Sequence, residues 1–177
     1  MKKNNRYKII TFGCQMNLAD SGSLAALMNI GGYEAIESED KADIIIINTC
    51  SVREKAEERV FGRLGDLSRI KKEKNHKKIV VVGCMAQRMA EKILERAPFV
   101  DIILGTDQMF ALPSLLDSDS KTPKVKTEFG LEEFDDITPN RDYKYSAFVT
   151  IMRGCNNFCT YCIVDRKSTR LNSSHRL

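Results

Sequence analysis

Six cysteines in 177 residues fall into two groups whose spacing points to metal chemistry. Cys155, Cys159 and Cys162 form a CxxxCxxC loop, short enough to wrap three thiolates around one iron-sulfur cluster. Zinc competes for such a loop. A structural zinc site wants four ligands, however, commonly as two CxxC pairs, and this loop offers three. Three thiolates on a four-iron cubane leave one iron without a protein ligand, open to an external molecule.

Cys14, Cys50 and Cys84 are distant in sequence, but each directly follows an apolar, β-branched run: ITFGC, IIIINTC and VVVGC. If those runs are parallel strands, their ends share one edge of the sheet, where such folds bind ligands. A thiolate at the start of a helix is also stabilised by the helix dipole and by backbone amides that lack partners. A single cysteine of this kind is most simply a small buried hydrophobe. Three at equivalent strand-to-helix turns favour metal binding.

Four apolar runs are each followed by a helix-like segment: residues 8–12, 43–48, 78–83 and 100–105. This alternation predicts an α/β fold, a doubly wound parallel sheet with helices on both faces. The runs IIIIN and IVVVG are apolar throughout, as strands buried on both faces require. Leu24, Leu27 and Met28 mark a first helix that stops at Gly31-Gly32. Ser51 and Glu54 fit a capping box for the second, and a third spans about 86–96, before Pro98. The basic run RIKKEKNHKK, residues 69–78, reads as a solvated helix end and loop, with an RNA-facing patch as the alternative.

Beyond Asp117 the pattern breaks into an acidic, proline-containing connection, and a strand-like run over 147–152 then leads into the second cysteine group. The expected domains are residues 1–117, a connection over 118–145, the start of a second domain over 146–164, and a tail over 165–177. The length suits one domain plus part of another, and 42% apolar residues suffice for a core. Of the net charge of +4, the last thirteen residues carry +3, so overall charge argues for no particular partner. No run reaches the roughly 18 apolar residues of a membrane span, and MKKNNRYKII lacks an apolar signal segment. A cytoplasmic location is expected, with no membrane association. Its reducing environment would keep the cysteines as thiols.

The segments GCQMN (13–17), NTCSVREKAE (48–57) and MRGCNNFCTYC (152–162) resemble those of the MiaB branch of the methylthiotransferases, within the radical S-adenosylmethionine superfamily. The resemblance covers about residues 8–164. It implies an N-terminal methylthiotransferase domain followed by the start of a radical S-adenosylmethionine (β/α) barrel. It further implies one 4Fe-4S cluster on Cys14, Cys50 and Cys84, and a second on Cys155, Cys159 and Cys162. S-adenosylmethionine binds the open iron of the second cluster, and Tyr161, between the last two ligands, is a candidate cofactor contact or a packing residue. In the family a deoxyadenosyl radical abstracts hydrogen from C2 of N6-isopentenyladenosine beside the tRNA anticodon, and sulfur and a methyl group are then added. The implied partners are that tRNA and an electron donor such as a flavodoxin-type reductant. No acid-base residue is required.

Sister branches act on a ribosomal protein or on threonylcarbamoyladenosine in tRNA; GCQMN with NTCSVREKAE favours the MiaB branch. Two other classes stay open, a zinc-binding structural module and a nucleotide-binding module, although no GxGxxG follows the first strand. After Val164 the resemblance stops. DRKSTRLNSSH (165–175) back-translates to a widely used sequencing-adapter sequence, so residues 165–177 read as foreign to the protein, with a natural divergent tail as the alternative. The chain would then lack most of the barrel that encloses cofactor and substrate. After anaerobic reconstitution the isolated polypeptide should show little methylthiolation of isopentenylated tRNA, and robust turnover would contradict the truncation.

Overall fold

The computed structural model of the chain describes residues 5–51, 54–117, 122–128, 148 and 160, the side chains of 54 and 55 aside. Among the described residues six strands form one sheet: β1 (Arg6–Phe12), β2 (Glu34–Ala35), β3 (Ile44–Thr49), β4 (Lys78–Gly83), β5 (Ile102–Leu104) and β6 (Lys124–Lys126). Their spatial order is β2-β1-β3-β4-β5-β6, and every pairing is parallel. Helices α1 (Gln15–Ile30), α2 (Glu54–Glu73), α3 (Cys84–Arg96) and α4 (Leu112–Leu116) connect them, with a 3-10 turn over Met109–Ala111.

Both faces of the central strands are covered, which explains their unbroken apolar runs. Ile45, Ile47, Ile79, Val81 and Ile103 meet Val60, Leu64 and Leu67 of α2 and Met85, Ala86 and Ile93 of α3. The alternate residues, Ile44, Ile46, Val80, Val82 and Leu104, meet Leu24 and Met28 of α1 and Leu112 of α4. Burial of each such side chain contributes roughly 1.5–3 kcal/mol. Helix α1 thus lies on one face, and α2 and α3 on the other. The chain reverses its winding direction between β1 and β3, and that reversal opens a crevice at the carboxyl ends of the strands.

The strands and helices predicted within residues 8–105 are present, with sharper ends. Helix α1 closes in a Schellman motif: Tyr33 N–H donates to Met28 O and Gly32 N–H to Asn29 O, both at 3.0 Å, with Gly32 at φ 80°. Helix α3 begins two residues earlier than expected, at Cys84 itself. The sequence reading missed β2 and β6. The first has two residues, and the second lies within the stretch read as connection, so the sheet extends past residue 117. Of the expected second domain and tail, everything except residues 148 and 160 lies outside the described residues.

The amino ends of the strands are held by acid-base pairs. Asp43 Oδ2 accepts from Arg6 Nε at 3.0 Å and from the Arg6 amide at 3.2 Å. Asp101 Oδ2 accepts from the Ile79 amide at 2.7 Å and from Lys71 Nζ at 2.8 Å. Lys77, 1% exposed, donates to the carbonyls of Glu39 (2.9 Å), Asp40 (3.0 Å) and Ala42, closing the loop before β3. Burial, with the Lys74 charge, draws its ammonium below the ordinary lysine range.

Burial alone would raise the Asp43 carboxyl, but hydrogen bonds and charge from Arg6, helped by Lys77, outweigh it and hold the group below the usual carboxylate range. A depressed pKa stabilises the fold above the unfolded value of about 4, and that contribution fades as pH falls through the folded value. Asp43→Asn should therefore cost about 2 kcal/mol near neutral pH. The gap from wild type should narrow as pH falls below about 4. Thermal melts across that range test this; a gap constant with pH would contradict it.

Candidate metal centre

The carboxyl ends of β1, β3 and β4 are in register, with Phe12 opposite Thr49 and Thr49 opposite Gly83. Cys14, Cys50 and Cys84 follow those three residues, so all three reach one edge of the sheet from adjacent strands. Cys14 and Cys50 flank the crevice where the winding reverses. None is in a disulfide; Cys14 is exposed, Cys84 partly buried and Cys50 5% exposed. Among the described residues no group of three or more His, Cys, Asp or Glu side chains is arranged to hold a metal ion. Cys155, Cys159, Cys162 and Tyr161 lie outside the described residues.

Two glycines bring these turns together. A Cβ on Gly13 would stand 2.1 Å from Asn17 Oδ1 and 2.9 Å from Cys50 Cβ, so only glycine lets the β1 turn approach Cys50. Gly83, at φ 98°, precedes Cys84, and a Cβ there would meet Thr49 O at 2.5 Å. Cys14 is the N-cap of α1 and Cys84 the first residue of α3, so the amino-terminal amides of both helices open toward this edge.

Beneath Cys14 lies a buried amide network that sequence reasoning did not identify. Asn17, 1% exposed, accepts from the Cys14 amide at 3.2 Å and lies 3.5 Å from its Sγ. Its Nδ2 donates to Asn48 Oδ1 and Thr49 O, both at 3.1 Å. Asn48, fully buried, donates in return to Asn17 O and Ser21 Oγ, both at 2.9 Å. The β1 turn, α1 and the end of β3 are thereby locked to one another. An asparagine ending the run IIIIN was the available signal, because a polar group in so apolar a strand needs buried partners.

A second network braces the other side. Ser51 Oγ donates to Glu57 Oε1 at 3.2 Å and accepts from Arg88 Nε at 2.6 Å, and Arg88 also pairs with Glu57. The capping box expected between Ser51 and Glu54 turns on the Glu54 side chain, which lies outside the described residues. Arg88 sits one turn after Cys84, so this cluster ties α3 to the residue following Cys50.

Comparison with known proteins matches residues 6–105, more than half of the chain, to the family described as Uncharacterized protein family UPF0004. The chain belongs to the UPF0004 family. The UPF0004 segment takes in Cys14, Cys50, Cys84 and both networks, and ends before β6. Relatives extend the similarity beyond it. A protein of Dictyoglomus thermophilum is 47% identical over 162 residues, one of Moorella thermoacetica 44% over 169, and one of Caldicellulosiruptor saccharolyticus 46% over 167. Each is named tRNA-2-methylthio-N(6)-dimethylallyladenosine synthase. The alignments cover 90, 93 and 92% of this chain, which spans 37, 38 and 36% of those relatives.

Asn17→Ala would strand the buried Asn48 Oδ1 and Thr49 O and remove the side-chain acceptor of the Cys14 amide. Each buried group left unsatisfied costs about 1–3 kcal/mol, so the substitution should lower stability by roughly 2–4 kcal/mol. Urea denaturation of the metal-free chain measures this. A loss below about 1 kcal/mol would mean that the network contributes little.

Proposed function

We propose that this chain carries the cluster-binding portion of a tRNA methylthiotransferase, an enzyme that adds a 2-methylthio group to N6-isopentenyladenosine beside the anticodon. The observation that carries this reading is the arrival of three thiols from adjacent parallel strands at one ligand-binding edge. The names of relatives at 44–47% identity support the reaction and the tRNA substrate.

In this reading Cys14, Cys50 and Cys84 hold an auxiliary 4Fe-4S cluster, and Cys155, Cys159 and Cys162 hold a second, with Tyr161 beside S-adenosylmethionine. A cluster binds one thiolate per iron, so its ligands stand apart at separate corners and do not converge on one point. Three thiolates suit a four-iron cluster, whereas a structural zinc ion wants four ligands. The glycines at 13 and 83 admit close backbone approach, and the helix amino termini offer amides to an anionic, thiolate-rich group. The Asn17 and Arg88 networks keep the bearing turns still. When bound, the clusters and S-adenosylmethionine supply the radical chemistry and the sulfur that an unactivated C2–H position requires. A flavodoxin-type reductant would deliver the electrons, in the cytoplasm where tRNA is found.

Anaerobic reconstitution followed by iron, sulfide and visible-absorption measurements tests the assignment. Wild type should take up two four-iron clusters. Replacing Cys14, Cys50 and Cys84 together with alanine should remove about half of the iron, and replacing the other triad should remove the rest. Stoichiometric zinc without sulfide would instead establish a structural metal site.

A further inference from the structure

At the opposite edge of the sheet, a cleft of about 930 Å³ opens where the carboxyl ends of α2 and α3 meet the starts of β5 and β6. Lys71, Lys72, Lys78, Arg96 and Lys124 line it, with Asp101 the lone carboxylate among the lining residues. Asp101 is already committed to Lys71 Nζ and the Ile79 amide, so it cannot neutralise the others. Lys72, Lys78 and Arg96 make no ion pair among the described residues; Arg96 stacks on the Phe61 ring at 3.8 Å. Ser68, Asn75 and Thr122 add hydroxyl and amide groups to the walls.

The basic run of residues 69–78 is thereby divided by function. Lys77 is spent inside the fold on the carbonyls of Glu39, Asp40 and Ala42, Lys74 pairs with Asp40 at 3.7 Å, and Lys71 holds Asp101. Lys72 and Lys78 are what remains for a partner on this face. Cations near helix carboxyl ends complement the helix dipole, but that interaction is satisfied within the last turn. Lys78 belongs to β4 and gains nothing from it.

We propose that this cleft binds the phosphate backbone of RNA, gripping the tRNA at a face separate from the cysteine edge. Clustered lysine and arginine with hydroxyl and amide neighbours suits phosphate and ribose contacts that read no sequence. The choice of RNA over an acidic protein rests on the tRNA-modifying function proposed above.

Fluorescence anisotropy of a labelled, unmodified tRNA titrated with the whole chain over a salt series tests the cleft. Each phosphate contact contributes roughly 0.7–0.9 to the slope of log affinity against log salt. The combined variant Lys72→Gln, Lys78→Gln, Arg96→Gln should flatten the slope by about two and weaken binding at least about tenfold near 0.1 M salt. The variant Lys41→Gln, Arg59→Gln, Lys126→Gln, with the same charge change elsewhere, should stay within about twofold of wild type. Equal loss in both variants, or none in the first, overturns the proposal, as does a labelled polyglutamate that binds the cleft when tRNA does not. On the wild-type chain, tRNA should protect Lys72 and Lys78 from acetylation, read by mass spectrometry; unprotected lysines would also overturn it. A chain that binds tRNA here yet takes up no iron would refute the enzyme reading alone, whereas normal iron uptake with tRNA affinity indifferent to the cleft variant would refute the cleft alone.

Discussion

A strand buried on both faces can satisfy its backbone only through its neighbours in the sheet, and when all neighbours run parallel, every strand must end on the same side. In this protein that constraint places Phe12, Thr49 and Gly83 in one row and delivers a cysteine from each of three adjacent strands to one edge. The cysteine-bearing turns depend on that ladder. A slip of one residue between β1 and β3 would move Cys14 away from Cys50.

Polar groups inside the sheet make the register specific. Ile44 to Ile47 would pack acceptably in more than one alignment, since each is an isoleucine. Asn48, fully buried at the end of that run, has its partners only where Asn17 and Ser21 of α1 lie against it. Misalignment would leave buried amides unsatisfied, at a cost comparable to burying an aliphatic side chain. The same asparagines reach the Cys14 amide, so the group that selects the register also positions the turn.

The two edges of the sheet carry opposite chemistry for a common topological reason. Helices run antiparallel to the strands, so their amino termini and unsatisfied amides gather at the cysteine edge and their carboxyl termini at the other. Cations accumulate at the second edge, where Arg6, Lys71 and Lys77 are used to hold strand starts and loop carbonyls. The cleft lined by Lys72, Lys78 and Arg96 is what those internal pairings leave uncompensated.

Much of this was legible without coordinates. Unbroken β-branched runs, glycine stops and proline positions determined the four main strands, their helices and the parallel class, because periodicity and turn chemistry are local properties. The shared placement of Cys14, Cys50 and Cys84 followed from that class. Tertiary structure alone decided what depends on distant partners. The two-residue β2 and the β6 strand Lys124–Lys126 carry too little pattern to announce themselves, and pair only because an edge is there to receive them. The roles within RIKKEKNHKK were likewise invisible in sequence: Lys77 becomes a buried clamp while its neighbour Lys78 lines an open cleft, since burial of a charged side chain depends on which carbonyls and carboxylates the fold brings to it.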